Sequence, residues 1–271
     1  MVRKEIETSK IHLSEISSIV LQTTQVYISA YLLMELAKAK IPLIVSDEKA
    51  NPIGEFLPIY GAHNPTKHVQ EQLEWGAPTK KRVWQKIVKD KIEQQMNVLT
   101  DEGFDVEAKI LKNDILEVKS GDITNREAHA AKVYFSTLFG KEFSRSSDCA
   151  INAALNYGYA ILLSMTNREI VARGFLTQCG INHRNEYNQY NLACDFMEPF
   201  RPVVDRLVLD NVGSEFDREH RLLLSDLANK KLKYSDGLYR FSSVLSYYVQ
   251  ACINALNKAG SIEDIEGYEV P

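Results

Sequence analysis

The chain has 271 residues, of which 45% are hydrophobic and 25% charged, and this composition excludes a disordered or collagen-like protein. The formal net charge of −4 argues against indiscriminate adhesion to nucleic acid but allows a local basic patch. No apolar run reaches the ~20 residues of a membrane helix, and the start lacks the apolar segment of a signal peptide. The cysteines are widely spaced without a C-x-x-C pair, which favours reduced thiols that fill the core. We therefore expect a soluble, cytoplasmic protein, with two domains at this length.

The first domain, residues 1–62, is predicted to be small and β-rich. Short β-branched segments alternate there with turn residues, and one helical stretch, QVYISAYLLMELAKAK, lies between them. The Gly, Asn and Pro residues of GAHNPTKH predict a linker at 61–66. Helical spacing then dominates almost to the end, which predicts a larger all-α domain at 63–271. The expected fold class is α+β, with the β-rich domain first.

The second domain is predicted to be built of successive helices. Pro78 suits the first turn of one of them, and Asp122, Thr124 and Asn125 are candidate caps for another. The predicted helices lie at 66–74, 78–100, 104–117, 124–138, 149–173, 189–198, 200–211, 217–229 and 238–258.

A basic stretch, TKKRVWQKIVKDK, lies on the helix predicted at 78–100. Its apolar residues can face the core, while its six cations far outnumber the single acid Asp90. Such a stripe could follow a phosphate backbone, although a solvated helix face is the commoner explanation for a run of this kind. The cations are Lys80, Lys81, Arg82, Lys86, Lys89 and Lys91.

Glu127 falls in the first turn of the helix predicted at 124–138, where a carboxylate interacts favourably with the helix dipole. A first-turn acid is, by itself, most simply structural. Three alanines close to it, however, leave room for a tightly packed helix or a ligand. His129 points about 200° around the helix from Glu127, so the two do not readily share a ligand. We interpret His129 as a packed or supporting histidine.

A polar, Asn-rich loop containing His183 leads into the helix that carries Asp195 and Glu198, which are three residues apart on one face. A loop histidine alone is usually a surface residue. Two prolines just after Glu198 interrupt or restart the helix, and such breaks often hold a side chain at a set angle.

Glu127, His183 and Glu198 would together form a set of two carboxylates and one imidazole. That set suits Mg²⁺ or Mn²⁺ better than zinc, whose catalytic sites favour more nitrogen or sulfur ligands. The residues alone do not show that the three side chains meet.

Four long blocks of the sequence closely resemble the CRISPR-associated integrase family Cas1, in the form found in type II systems. The segments IHLSEISSIVL, LIVSDEK and LPIYG are similar to its β-domain. The spacings of 56 residues from Glu127 to His183 and 15 from His183 to Glu198 fit the family's metal triad. The blocks are, in order, NREAHAAKVYFSTLFG, INAALNYGYAILLS, ARGFLTQCGINHRNEYNQYN and DFMEPFRPVVD.

The resemblance implies that Glu127, His183 and Glu198 are catalytic residues that bind Mg²⁺ or Mn²⁺. Asp195 would support them, and we expect the same of Asn188 and His129. A helix with Asn152, Asn156 and Tyr157 would give structural support near the site. If the chain acts on DNA, the candidate phosphate contacts are Lys80, Lys81, Arg82, Lys86 and Arg184.

The resemblance also implies a function in the cytoplasm of a prokaryote. Homodimers formed through the β-domains would flank a dimer of the companion protein Cas2, four subunits to two, and carry a foreign DNA fragment to the leader and first repeat of the CRISPR array. Each 3′-hydroxyl of the fragment would attack a phosphodiester there. The effector nuclease and other adaptation proteins are further candidate partners.

Two alternatives stay open at this point. One is a metal-dependent endonuclease that hydrolyses DNA with the same residues, and the other is a non-catalytic scaffold that binds DNA and partners. Family members usually begin with about twenty further residues, so the resemblance also implies a first domain that is shortened at its start.

Overall fold

The computed structural model describes residues 2–3, 8–16, 18–48, 51–59 and 62–271. The fold is mixed α/β and mostly helical, with few strands. The strands of the first part are β1 (Val2–Arg3), β2 (Thr8–Ser9), β3 (Ile19–Leu21), β4 (Leu43–Ser46) and β5 (Pro52–Phe56). Strand β4 pairs parallel with β3 and antiparallel with β5, while β1 and β2 form a separate antiparallel pair. None of the described helices is both long and apolar enough to cross a bilayer.

The predicted helices of the second part are present, and the ends of the first seven agree within two residues. Together with helix α1 in the first part, the helices are α1 (Ala30–Lys38), α2 (Pro65–Leu73), α3 (Ala77–Asp101), α4 (Asp105–Glu117), α5 (Arg126–Phe139), α6 (Ala150–Ala172), α7 (Asn191–Met197), α8 (Arg201–Asn211), α9 (Arg218–Ser225) and α10 (Phe241–Leu256).

The prediction that everything after residue 62 is helical was wrong at one place. Strands β6 (Lys231–Tyr234) and β7 (Gly237–Arg240) form an antiparallel hairpin. The helix predicted to end at 229 therefore ends earlier, and the one predicted to begin at 238 begins later. The basic run there conceals a strand pattern: Leu232 is fully buried between two outward-pointing lysines, which is the period of a strand.

The first part of the chain has a small apolar cluster of its own, centred on Leu36, Ile41 and Leu43. It also contacts helix α6, because the Gln22 amide donates to the Tyr157 hydroxyl at 2.9 Å. The division of the chain at residues 62 and 63 stays a prediction. Several residues of the segments that carried it lie outside the described residues, namely Ser17, Lys49, Tyr60 and Gly61.

Two long helices organise the main core. Helix α3 packs on α4, α5, α10 and the 3-10 turn Glu198–Phe200, and α6 packs on α7, α8, α9 and α10. The four cysteines are free; Cys252 is buried in this core and the other three are half-buried, so only Cys252 fills the core as predicted.

Helices α6 and α8 approach each other closely at Gly158. A Cβ atom added there would overlap the Val204 Cγ1 methyl and would lie 3.5 Å from Leu224 Cδ2 of α9. Glycine at this position therefore sets the distance between the helices, although Ala is otherwise the better helix former.

We predict that Gly158→Ala lowers the free energy of unfolding by about 1–3 kcal/mol, because the new methyl forces the helices apart. Urea unfolding measures this. Gly213→Ala is the matched control, since a Cβ atom there meets nothing within 4 Å. Equal stability of the two variants would contradict the close approach at Gly158.

Candidate active site

Glu127 is held at the start of helix α5 by a cap that comes from the turn before it. The Asp122 carboxylate accepts the backbone N–H groups of Arg126 at 2.9 Å and Glu127 at 3.1 Å. Of the other predicted caps, Asn125 makes no side-chain cap bond and Thr124 donates instead to the carbonyl of Glu117. The side chain of Glu127 is thus free to reach across to α3.

His183 is held by Asp195, which is completely buried on α7. The Asp195 carboxylate accepts the backbone N–H groups of Ile181, Asn182 and His183 at 2.7, 3.1 and 3.0 Å. The same carboxylate lies 2.7 Å from Nδ1 of the His183 ring. The hydrogen bond to Asp195 raises the pKa of His183 above its usual value, and outweighs the lowering effect of burial.

Further contacts fix the His183 ring and the loop behind it. The Trp84 ring of α3 and the His183 ring lie in a T-shaped contact, with 5.8 Å between the ring centroids. Asn188 accepts the backbone N–H of Tyr190 at 2.9 Å and its amide approaches the sulfur of Cys194 at 3.4 Å. Asp195 and Asn188 thus hold the loop around His183, and their supporting role in the reaction stays a prediction.

Glu198 begins the 3-10 turn between α7 and α8, where Pro199 prevents α7 from continuing. Its side chain is buried and meets two cations: Arg201 Nε lies 2.9 Å from Oε1, and Lys91 Nζ lies 2.6 Å from Oε2. Burial alone would raise the pKa of Glu198, but Arg201 and then Lys91 outweigh it and lower the pKa to about 2. The carboxylate is therefore ionised at neutral pH.

Lys91 joins the two glutamates. Its ammonium lies 2.7 Å from Glu127 Oε1 as well as 2.6 Å from Glu198 Oε2, and the residue is only 9% exposed. Burial would lower the pKa of Lys91, but the carboxylates of Glu198 and Glu127 outweigh it and raise the pKa. A buried cation thus holds the carboxylates of α5 and the 3-10 turn within about two hydrogen-bond lengths of each other.

Lys91 corrects the interpretation of the basic stretch, since it belongs neither to a solvated face nor to a surface stripe. Lys86 is also paired, with its ammonium 2.5 Å from the buried carboxylate of Asp90. The sequence did carry a signal for Lys91. It follows Ile87 by four residues and Val88 by three, so it lies on the buried face of α3, where a lysine requires an acidic partner.

The remaining predicted site residues make no ion pair with Glu127 or Glu198 among the described contacts. His129 Nδ1 is 2.7 Å from Asp114 on α4, and its side chain is 49% exposed, so it is neither packed nor in contact with the two glutamates. Lys80, Lys81 and Arg82 lie about 13 to 17 Å along α3 from Lys91, at the 1.5 Å rise of a helix. Lys81, Arg82 and Arg184 are exposed, and Lys80 is partly so.

The Asn-rich start of α6 organises the preceding loop rather than the acid cluster. Asn152 and Asn156 both accept hydrogen bonds from Arg145. The guanidinium of Arg145 lies over the ring of Tyr159, and the guanidinium of Arg201 lies 4.6 Å from the centroid of the same ring. The ring of Tyr159 therefore contacts both Arg145 and Arg201, and Arg201 is the cation beside Glu198 that the sequence did not predict.

The donor types at the cluster fit a hard divalent cation, since Glu127, Glu198 and His183 offer carboxylate oxygens and an imidazole. Glu198 Oε2 is buried and accepts no hydrogen bond of normal geometry from the described residues. It is instead in ion contact with the ammonium of Lys91. Within the described ranges, no three His, Cys, Asp or Glu side chains are placed to hold a metal ion together. The ammonium of Lys91 takes the place between the carboxylates.

Comparison with known proteins identifies the family. The family model described as CRISPR associated protein Cas1 matches residues 1–233. The chain belongs to the Cas1 family. It is 40% identical over 209 residues to a CRISPR-associated endonuclease Cas1 of Neisseria meningitidis serogroup C (strain 8013), which is 77% of this chain and 69% of that protein. A CRISPR-associated endonuclease Cas1 2 of Pyrobaculum aerophilum is 28% identical over 229 residues, 78% and 76% of the two chains.

Solved structures of similar proteins share the fold of this Cas1 family member. A casposase bound to an integration product matches with a TM-score of 0.70 at 19% identity, over 86% of this chain and 76% of that one. A chain of a Cas6-RT-Cas1–Cas2 complex matches with a TM-score of 0.67 at 21% identity. That match covers 90% of this chain but only 31% of the other, so this chain corresponds to about a third of that larger one.

We predict that Asp195→Asn lowers the free energy of unfolding by about 1–3 kcal/mol. An asparagine amide group would face backbone N–H donors and leave buried hydrogen bonds unmade. Urea unfolding measures the loss, with Glu186→Gln, an exposed acid of the same loop, as the control. If both variants unfold like the wild type, Asp195 does not anchor the His183 loop.

Proposed function

We propose that this protein is a metal-dependent DNA integrase of CRISPR adaptation, which inserts foreign DNA fragments into the CRISPR array. The observation that carries the proposal is the convergence of Glu127 and Glu198, from different elements, on one buried cation beside His183 in a chain of the Cas1 family. The fold shared with a casposase bound to an integration product supports it.

Glu127, His183 and Glu198 would hold Mg²⁺ or Mn²⁺, which supplies polarisation of a phosphoryl oxygen and stabilises the charge that develops in phosphoryl transfer. The chain contributes a rigid arrangement for this. Asp195 fixes His183 in one orientation with its Nδ1 engaged, and Arg201 keeps Glu198 ionised. The nearby helix α3 carries further cations toward its start, where a DNA backbone could be bound.

The proposed reaction is a direct transesterification. The 3′-hydroxyl oxygen of the fragment forms a bond to phosphorus in the target strand, and the bond from that phosphorus to the target 3′-oxygen breaks. The proton lost by the attacking hydroxyl is balanced by the one that the leaving oxygen gains, so no water or nucleotide is consumed.

We propose Cas2 as a partner, because a structurally similar chain comes from a Cas6-RT-Cas1–Cas2 complex. A homodimer through the first part of the chain is also proposed, in the four-to-two assembly and cytoplasmic setting that the family resemblance implies. Large apolar side chains of the first part are exposed to solvent, which suits a protein interface. They include Tyr27, Tyr31, Met34, Val45 and Ile53.

A second candidate function is hydrolysis of DNA by the same residues. It is favoured by the names of the similar proteins from Neisseria and Pyrobaculum, both of which are called endonucleases. Water would then replace the 3′-hydroxyl as nucleophile. The products distinguish the two reactions, since hydrolysis leaves free cut ends whereas transesterification joins strands.

We predict that the wild-type protein with Mn²⁺ reverses strand transfer on a labelled branched DNA that mimics a half-integrated fragment. Glu127→Ala, His183→Ala and Glu198→Ala should each reduce the rejoined target strand by about 10²–10³-fold or more, because each removes a proposed ligand of the metal. Gel analysis of the labelled strand measures the product, and DNA binding measured alongside should stay largely intact.

The control for this assay is Glu186→Ala, which removes an exposed acid near the site. Thermal unfolding of each variant shows whether it is folded, because Glu198→Ala removes the carboxylate that contacts both Arg201 and the buried Lys91, and leaves Glu127 as the remaining acid at Lys91. Near wild-type rejoining by any folded triad variant would refute the role of that residue. Free cut ends in place of rejoined strands would favour the endonuclease, and inactivity of the wild type would favour a non-catalytic scaffold.

We predict that replacing Lys80, Lys81 and Arg82 with alanine flattens the dependence of DNA affinity on salt. Each lost phosphate contact should reduce the slope of log affinity against log salt by about 0.9. Replacing the exposed Lys109, Lys112 and Lys119 of the α4 region removes the same charge elsewhere and serves as the control. An unchanged slope would mean that these cations contact solvent, as on an ordinary solvated helix face, and do not contact DNA.

A further inference from the structure

Lys91 is a cation built into the proposed catalytic centre. Its ammonium makes its two shortest ion contacts with the oxygens that would bind the metal, Glu127 Oε1 and Glu198 Oε2, at 2.7 and 2.6 Å. The side chain comes from the middle of the long helix α3 and is only 11% exposed. A divalent cation bound by both carboxylates would have to displace this ammonium.

The charges around the two carboxylates are already balanced in this arrangement. Lys91 and Arg201 contribute two positive charges at contact distance, and Glu127 and Glu198 contribute two negative ones. A divalent ion at the same oxygens would be repelled by a buried ammonium only a few ångströms away, in surroundings that screen charge poorly. Metal binding is therefore opposed both by contact and by charge.

We infer that Lys91 occupies the metal position in the metal-free protein and competes with the divalent cation, so that this one residue sets the metal affinity of the site. The inference rests on the proposed function, which supplies the metal. In the metal-free protein Lys91 neutralises two carboxylates that would otherwise repel each other. In the metal-bound protein the cation takes over that role, and the ammonium moves aside.

The test is a titration of the free protein with Mn²⁺ in the absence of DNA, in which the electron paramagnetic resonance signal of free Mn²⁺ reports binding. Lys91→Met, which keeps the length of the side chain without its charge, should bind Mn²⁺ at least tenfold more tightly than the wild type. Lys89→Met is the matched control, because Lys89 lies on the same helix and makes no hydrogen bond or ion pair found among the described residues. It should bind Mn²⁺ like the wild type.

The double variant Lys91→Met, Glu198→Gln should lose the gain in affinity, which assigns the extra binding to this site. If Lys91→Met binds Mn²⁺ no more tightly than the wild type, or if the double variant keeps the gain, the inference is overturned.

Thermal unfolding gives a second readout, which can be used even if Lys91→Met is only partly folded in the absence of metal. In a chelating buffer Lys91→Met should melt at a lower temperature than the wild type, because two like charges face each other. Mn²⁺ should then raise its melting temperature more than that of the wild type, since a ligand that binds the folded state stabilises it. A variant that stays unfolded at saturating Mn²⁺, or gains no more than the wild type, would refute the competition.

Failure of this inference can be told from failure of the proposed function. The Mn²⁺ titration measures affinity alone, whereas the proposed function depends on rejoined strands and on their loss in Glu198→Ala. Unchanged Mn²⁺ affinity of Lys91→Met, with strand transfer intact in the wild type, would remove only the competition.

Discussion

The ion contacts of Lys91 with Glu127 and Glu198 are the constraint on which the rest of the site depends. The ammonium reaches the carboxylates of α5 and of the 3-10 turn from α3, and α3 packs directly against both elements. A buried ion pair adds little stability by itself, but loss of one partner is costly because the other charge stays buried and unpaired. The contacts of Lys91 therefore fix which elements must meet, and hence where the acids lie.

A second buried acid builds the other half of the site. Asp195 draws three successive backbone N–H groups of the Asn-rich loop onto one carboxylate and orients the His183 ring with the same group. A Cβ atom added at Gly180 would lie 2.8 Å from Asp195 Oδ2, so the loop passes too close to this carboxylate for a larger residue. The imidazole is thus fixed by the loop backbone, independently of the two glutamates.

Local sequence signals predicted much of this arrangement. Helical spacing predicted α3 to α8 closely, the position of Glu127 followed from cap residues before it, and Pro199 predicted the break at Glu198. The partners of these residues were not predictable in the same way. Lys91 meets a residue 36 positions away and another more than 100 away, and sequence spacing carries no information about such contacts.

The hairpin formed by β6 and β7 was missed for a different reason. Its alternation of lysine with Leu232 and Tyr234 covers only four residues and resembles a basic run, so the strand period is too short to stand out. Arg201 was missed because an arginine at the start of a helix usually lies on the surface. Only the fold places its guanidinium against the ring of Tyr159 and beside the carboxylate of Glu198.

The ring contact between Trp84 and His183 also places an intrinsic fluorophore at the site. The chain has two tryptophans, and the other one, Trp75, stacks on Phe175 and donates its indole N–H to Asn257. Trp84 is buried, with its ring against the imidazole. One of the two indoles of the chain therefore lies at the site, so that the intrinsic emission of the protein contains a component from the surroundings of His183 without any added label.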